Sequence, residues 1–275
     1  MIKKIPPTLF ARLEHELDPL ETQLQADCKE LFSHRAHSPY LIIIPAFNEA
    51  ESIGYVADLL PSTILGVRPD VLVVDDGSTD GTAAIAQKHG LNCITSSVNR
   101  GQGASLRTGY LAAIANDFVV VAIIDADGQW SPSDLEQVMM PVINHTADLS
   151  QGSRSLGETR VGDRFRDIGV AFFARLISII TRRKVTDTSS GIRAISVNQL
   201  KSIRLTQPQY QSSELLIGAL IQGGRLSEIP VIMESRHAGY SKKGRNLKYA
   251  LAYSQVVFKT TLREFGVLLL NKLIS

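Results

Sequence analysis

Val119-Val120-Val121-Ala122-Ile123-Ile124-Asp125-Ala126-Asp127-Gly128-Gln129 is the stretch on which the fold turns. Its first six residues are apolar and mostly β-branched with no polar break. That composition suits a strand covered on both faces in a parallel α/β sheet. Ligands of such sheets bind beyond the carboxyl ends of the strands. Two carboxylates one residue apart at that end, followed by Gly and Gln, suit a hard divalent cation held against a diphosphate. An Asp- and Gly-rich strand-end turn is the plainer reading of the same residues.

The pattern recurs, which weighs against the plainer reading. Val71-Leu72-Val73-Val74 runs into Asp75-Asp76-Gly77-Ser78-Thr79-Asp80-Gly81, with a helical pattern from Thr82. Asp80 or Ser78 would cap that helix. The two acids before them exceed what a cap needs, and an exposed Asp there accepts hydrogen bonds from a base or ribose. Tyr40-Leu41-Ile42-Ile43-Ile44 ends in Pro45-Ala46-Phe47-Asn48-Glu49, with a helix beginning near Ala50. Three apolar strands thus end in polar segments that would converge on one sheet edge.

Seven strings carry the argument further: PAFNEAESI (45–53), VVDDGSTDGT (73–82), NRGQGASLRTGY (99–110), DADGQW (125–130), GSR (152–154), DTSSGIR (187–193) and EIPVIMESRHAGYSKKG (228–244). In this order the chain resembles an inverting nucleotide-sugar glycosyltransferase of the large family 2 type. That family includes dolichyl-phosphate mannose synthases and bacterial polyprenyl-phosphate glycosyltransferases. The resemblance implies a GT-A-like nucleotide-binding α/β fold, its mostly parallel central sheet flanked by helices. It implies transfer of a hexose from a UDP- or GDP-sugar to a polyprenyl phosphate, with Mg²⁺ or Mn²⁺ held by Asp125, Asp127 and Gln129. Pro45, Asn48 and Glu49 would line the nucleotide pocket, and Asp76 would contact the base or ribose. Arg154 and Arg166 would face the sugar diphosphate or acceptor phosphate. Arg193, Arg236 and Lys242 would add positive charge around the transferred group, and Glu214 would face the sugar or acceptor. Two positions depart from the family: Val170 and Ala174 stand where Ser and Asn are usual, so an acceptor-phosphate hydrogen bond from that helix is not expected.

The chemistry fits these residue types. Cleaving a sugar–phosphate bond builds negative charge on a nucleoside diphosphate, which a cation and Arg side chains stabilise. A lipid-phosphate acceptor is already anionic and needs no strong base. A hydroxyl acceptor needs a carboxylate, for which Glu214 and Asp187 are the candidates. A nucleotide-sugar-binding protein without transfer is a third reading. The loop Asn99-Arg100-Gly101-Gln102-Gly103-Ala104-Ser105 matches neither the Rossmann glycine spacing nor a P-loop and reads as a tight turn before a helix, which the family resemblance implies lies near the nucleotide or acceptor mouth.

At 275 residues and 44% hydrophobic, the chain can bury a substantial core. A net charge of +2 gives no argument for a nucleic-acid partner. Basic residues cluster nonetheless, at Arg154–Lys184 and at Lys242–Lys248, as solvated faces or as surfaces for phosphate or anionic lipid. Cys28 and Cys93 lack metal spacing and suit free thiols in a reducing cytoplasm. No run approaches the roughly 20 apolar residues of a membrane span, and the N-terminus lacks a signal-peptide core. The location expected is therefore cytoplasmic, peripheral on the inner membrane face.

Three units follow: a helical N-terminal extension (1–39), a catalytic domain (40–245) and a C-terminal amphipathic helix (246–275). Leu9, Leu13, Leu17, Leu20, Leu24, Cys28 and Leu31 form a helical stripe in the first. Pro19 splits it or opens its second helix. It would pack on the catalytic domain or serve a homodimer. In the last unit Leu247, Leu251, Phe258, Leu262, Phe265, Leu269 and Leu273 recur at helical intervals, with a break expected at Gly266. That helix would pack on protein, on a second subunit, or on a membrane surface. Ser155–Asp163, rich in Gly and charge, reads as a mobile loop beside the site.

Overall fold

A computed structural model describes residues 19–33, 37–162, 164–207, 209–237 and 247–274. Seven strands form one sheet in the order β3-β2-β1-β4-β6-β5-β7. They are β1 (Tyr40–Ala46), β2 (Asp70–Asp75), β3 (Asn92–Thr95), β4 (Val120–Ile124), β5 (Leu149–Thr159), β6 (Ile192–Ser196) and β7 (Leu226–Met233). β6 runs against both of its neighbours, and every other pairing is parallel. The carboxyl ends of β1, β2, β4, β5 and β7 therefore share one edge with the start of β6, the convergence expected from the sequence.

Alternation along the strands divides the core. Leu41, Ile43, Val121 and Ile123 face one layer, and Ile42, Ile44, Ala122 and Ile124 face the other. The first layer holds helices α1 (Pro19–Ser33), α4 (Gln102–Ala115), α6 (Arg164–Thr181), α8 (Gln211–Ile221) and α9 (Leu247–Ile274). The second holds α2 (Ala50–Asp58), α3 (Thr82–Lys88) and α5 (Leu135–Ile143). The one-turn helix α7 (Val197–Leu200) follows β6, its Ser196 hydroxyl accepting the Gln199 amide. All five residues of β4 are buried. Each large aliphatic side chain so buried contributes about 1.5–3 kcal/mol.

Pro19 opens α1, and Leu24, Cys28 and Phe32 bury its inner face in the first layer. Burial pushes the Cys28 thiol up to about 12, so it is a protonated core side chain. The earlier part of the predicted N-terminal stripe (Leu9, Leu13, Leu17) lies outside the described residues.

Two expectations need correction. α9 is continuous through Gly266, with no break there. Ser155–Asp163 is not a loop over its length: β5 continues to Thr159 and pairs Glu158 with Ile232 and Thr159 with Met233, after a register shift following Ser153. Gly157 serves close approach here. A Cβ on it would stand 2.2 Å from the Val231 carbonyl oxygen, so only glycine lets the strands meet.

Candidate active site

The first two strand-end loops are stitched together by their own polar residues. Asn48, at φ 51°, donates its amide to Ser78 Oγ (2.8 Å), and its side-chain oxygen accepts from the Thr79 amide (2.9 Å). The Glu49 amide donates to Thr82 Oγ1 and the Ala50 amide to Asp80 Oδ2. Asp80 Oδ1 also accepts the Thr82 amide, but the N-cap position of α3 is Gly81, with no side-chain cap, so neither Asp80 nor Ser78 is the cap expected from the sequence. Burial would raise the Asp80 carboxyl, but hydrogen bonds from Thr82 and Ala50 outweigh it and hold the group below its ordinary range.

Asp76 is buried and clamps the next loop: its Oδ1 accepts the Arg100 amide (2.9 Å) and its Oδ2 the Gly101 amide (2.7 Å). Burial raises the Asp76 carboxyl, against the pull of those two amides. Arg100 in turn reaches α1, donating to Glu21 Oε2 at 2.6 Å. Arg107 and Thr108 of α4 bind the same Glu21 carboxylate at 3.0 and 2.9 Å. Asp75 accepts from the Ser78 amide and hydroxyl through Oδ1. Its Oδ2 is buried without a hydrogen-bond partner among the described residues.

The acid pair lies just past β4. Asp125 donates its amide to the Gly191 carbonyl (3.0 Å), and its Oδ1 accepts from Gln102 Nε2 (2.7 Å). Asp127 is nearly buried; its Oδ1 accepts the Gln129 amide, and its Oδ2 pairs with Arg236 Nη2 at 2.9 Å. The other arm of Arg236 meets Glu49 Oε1 at 3.3 Å. A single guanidinium beyond β7 thus ties the β1 loop to the β4 loop, with its planar fork between two carboxylates. Gln129 Nε2 donates to the Glu234 carbonyl (3.1 Å), and the Asp127 carbonyl accepts the His237 amide (3.2 Å).

Asp125 and Asp127 offer only oxygen. Among the described residues, no group of three His, Cys, Asp or Glu side chains forms a ready metal cage. That donor set fits Mg²⁺, which takes one or two protein carboxylates and fills its shell with water and phosphate oxygens, and it also accepts Mn²⁺.

Other predicted residues are employed differently. Arg154, 4% exposed, is held bidentate by Asp187 (2.7 and 3.0 Å), donates to Ser189, and stacks 5.3 Å from the Trp130 ring. It braces the 187–191 segment against Trp130 rather than standing as a free cation. Asp187 is spent in the same pair. Glu214 is fully buried: its oxygens accept the Thr206 and Gln207 amides and Arg263 Nη1 (2.8 Å) of α9. It anchors α9 through Arg263 from the interior. Arg193 is buried and donates to the Ser190 carbonyl and the Ser212 hydroxyl beneath the edge. Pro45 is buried in β1. Arg166 falls in the first turn of α6 and its side chain lies outside the described residues, as does Lys242. Val170 and Ala174 are buried packing residues of α6, which accounts for their apolar character.

Sequence reasoning missed four participants. His237 stacks on Tyr55 (centroids 4.1 Å, planes 5° apart) against Gly128, where a Cβ would stand 2.9 Å from His237 Cβ. Gln102 reaches Asp125 from a turn that the family resemblance placed near the nucleotide or acceptor mouth without giving this side chain a role. Gly191 permits close approach: a Cβ there would stand 2.2 Å from Asp125 Oδ2 and 2.4 Å from Trp130 Nε1. Glu21 lies outside the motif-bearing span altogether. The signals were thin: glycines beside the motifs pointed to tight packing, and the stacked ring pair had none.

The sequence profile of glycosyl transferase family 2 matches residues 41–204. A dolichyl-phosphate hexose transferase of Haloferax volcanii is 32% identical over 202 residues, spanning 73% of this chain and 85% of the relative. A polyprenol monophosphomannose synthase of Mycolicibacterium smegmatis is 28% identical over 224 residues, 77% of this chain and 83% of that one. Among solved structures, glucosyl-3-phosphoglycerate synthase of Mycobacterium tuberculosis, bound to Mn²⁺, UDP and glucosyl-3-phosphoglycerate, superposes with a TM-score of 0.61 at 22% identity over 90% of this chain and 84% of its own. That likeness identifies the sheet and its flanking helices as the GT-A fold. The chain belongs to glycosyl transferase family 2 and is a glycosyltransferase.

Proposed function

We propose that this enzyme transfers a hexose, with inversion, from a UDP- or GDP-sugar to a polyprenyl phosphate. The observation that carries the reading is the Asp125–Asp127 pair at the strand edge, joined through Arg236 to Glu49. Asp125 and Asp127, with the Gln129 side-chain oxygen, would hold Mg²⁺ or Mn²⁺, which supplies positive charge to the leaving diphosphate. The Asn48–Glu49 loop and the Asp75–Asp76 turn receive the nucleoside. The acceptor phosphate oxygen attacks the anomeric carbon, and the bond from that carbon to the β-phosphate oxygen breaks. The electron pair leaves with the nucleoside diphosphate, whose growing charge Arg236 meets.

A specific observation favours a phosphate over a hydroxyl acceptor. A hydroxyl needs a base, and the two candidate bases, Glu214 and Asp187, are both fully buried and held in ion pairs. The names of the Haloferax dolichyl-phosphate hexose transferase and the Mycolicibacterium polyprenol monophosphomannose synthase agree with a phosphorylated polyprenol. The test offers radiolabelled UDP- and GDP-sugars with polyprenyl phosphate or free polyprenol. Label in polyprenyl phosphate alone is expected. Equal or greater labelling of the free alcohol would refute the acceptor assignment.

A further inference from the structure

Three helices and one loop meet at Tyr253 of α9, a buried residue that takes no part in the chemistry described above. Its ring packs on Phe173 of α6 with centroids 4.3 Å apart and meets Tyr210, at the start of α8, edge-on at 5.5 Å. Its hydroxyl donates to the Thr188 carbonyl (3.2 Å), as does the Ser213 hydroxyl of α8 (3.1 Å), and the two hydroxyls touch each other. Thr188 and Ser213 are buried too, and a buried carbonyl that loses a donor is not repaired by solvent.

That carbonyl belongs to the segment on which the site is seated. At its far end the Gly191 carbonyl accepts the Asp125 amide at 3.0 Å. Gly191 also lies so close to Asp125 Oδ2 and Trp130 Nε1 that a methyl group has no room between them. At its near end Asp187 is paired with Arg154, which stacks on Trp130. The Tyr253 hydroxyl is where α9 grips this segment between those two ends.

As a packing detail, the hydroxyl would satisfy buried polar atoms and support stability alone. As a brace, it sets where Gly191, and with it Asp125, stands. The contacts of Gly191 favour the brace: movement toward Asp125 collides with the carboxylate, and movement away opens the bond from the Asp125 amide.

We propose that Tyr253 is a positioning residue for the transfer, its hydroxyl fixing the Thr188–Gly191 segment against which Asp125 and Trp130 are seated. The inference rests on the reading of Asp125 as a ligand of the metal–diphosphate centre.

Trp130 is the chain's single tryptophan and is buried against this segment, so its fluorescence reports the seating directly. In the full chain without donor, acceptor or cation, Tyr253→Phe should shift that emission to longer wavelength and make it more quenchable by acrylamide. Under turnover, kcat should fall by about tenfold, part of the roughly 10²-fold that an ångström of misplacement can cost, with donor KM little changed. Val257→Ala, one turn along the same buried face of α9, removes packing but keeps the hydroxyl. It should lower the melting temperature and leave both emission and kcat as in wild type. A Tyr253→Phe enzyme that changes only in melting temperature, a change in emission or kcat without the other, or an equal loss of kcat in Val257→Ala would overturn the proposal. Wild-type transfer that survives EDTA would sink the metal reading by itself, whereas the Trp130 spectrum, read without cation, decides the Tyr253 contact separately.

Discussion

Replacing Glu21 by Ala removes one carboxylate that three side chains share. Glu21 is 1% exposed and accepts Arg100 at 2.6 Å, Arg107 at 3.0 Å and Thr108 at 2.9 Å. Taking one partner from a buried ion pair costs about 3–5 kcal/mol, because the charge left behind is neither paired nor solvated. Arg107, with a quarter of its side chain exposed, recovers water; Arg100, at 11%, recovers little. The lower end of the range, about 3 kcal/mol, is therefore expected. For a domain of this size that lowers the melting temperature by roughly 6–12 °C. Glu21→Gln should fall between, keeping an acceptor while losing the charge. The assay is urea and thermal unfolding of Glu21→Ala, and of Glu21→Leu, Arg100→Leu and their double variant for the coupling. The double variant should be less destabilised than the sum of the singles by at least about 1 kcal/mol. A melting shift under about 2 °C for Glu21→Ala, or strict additivity, would refute the claim that α1 anchors the loop beneath Asp76.

Gly191→Ala forces a methyl group into the space of Asp125 and Trp130, so transfer should fall by about a hundredfold or more while the fold persists; circular dichroism and turnover measured together check this. Arg236→Ala should lower kcat by about 10²–10³ through loss of charge at the leaving diphosphate, with donor KM less affected; steady-state kinetics would show a KM effect alone if the residue only binds. Acid should weaken the fold through Asp148, whose carboxyl the Arg225 guanidinium holds below its ordinary range against an opposing effect of burial. A depressed folded value means the stabilisation is full above the unfolded value of about 3.9 and disappears as pH falls through the folded one. The stability difference between wild type and Arg225→Gln should accordingly shrink in urea titrations below about pH 4, and a constant difference down to pH 2 would contradict it.

What the sequence made legible was local. An apolar strand ending in acids is read from adjacent residues, so β1, β2 and β4 and their terminal loops were found, and α9 was placed from Leu247 to Ile274 by its periodicity. What it hid was long-range pairing. Arg154 meets Asp187 33 residues away, and Glu214 meets Arg263 49 residues away. Nothing in a motif says that a charged residue beside it is already spent in the interior. Glu21 is separated from Arg100 by 79 residues. The Gly-rich 155–163 segment misled for a related reason: Gly157 reads as freedom in sequence but answers to the Val231 backbone across the sheet.

The central claim, that Asp125 and Asp127 form the metal–diphosphate centre of a transferase, is tested most directly by label transfer from a nucleotide sugar to polyprenyl phosphate. Wild type and Asp127→Asn should be assayed with Mg²⁺ or Mn²⁺ and with EDTA. Transfer that needs the cation and is lost in Asp127→Asn, whose circular dichroism shows the wild-type fold, is the predicted result. Transfer that survives EDTA, or an Asp127→Asn enzyme that works at the wild-type rate, would contradict it.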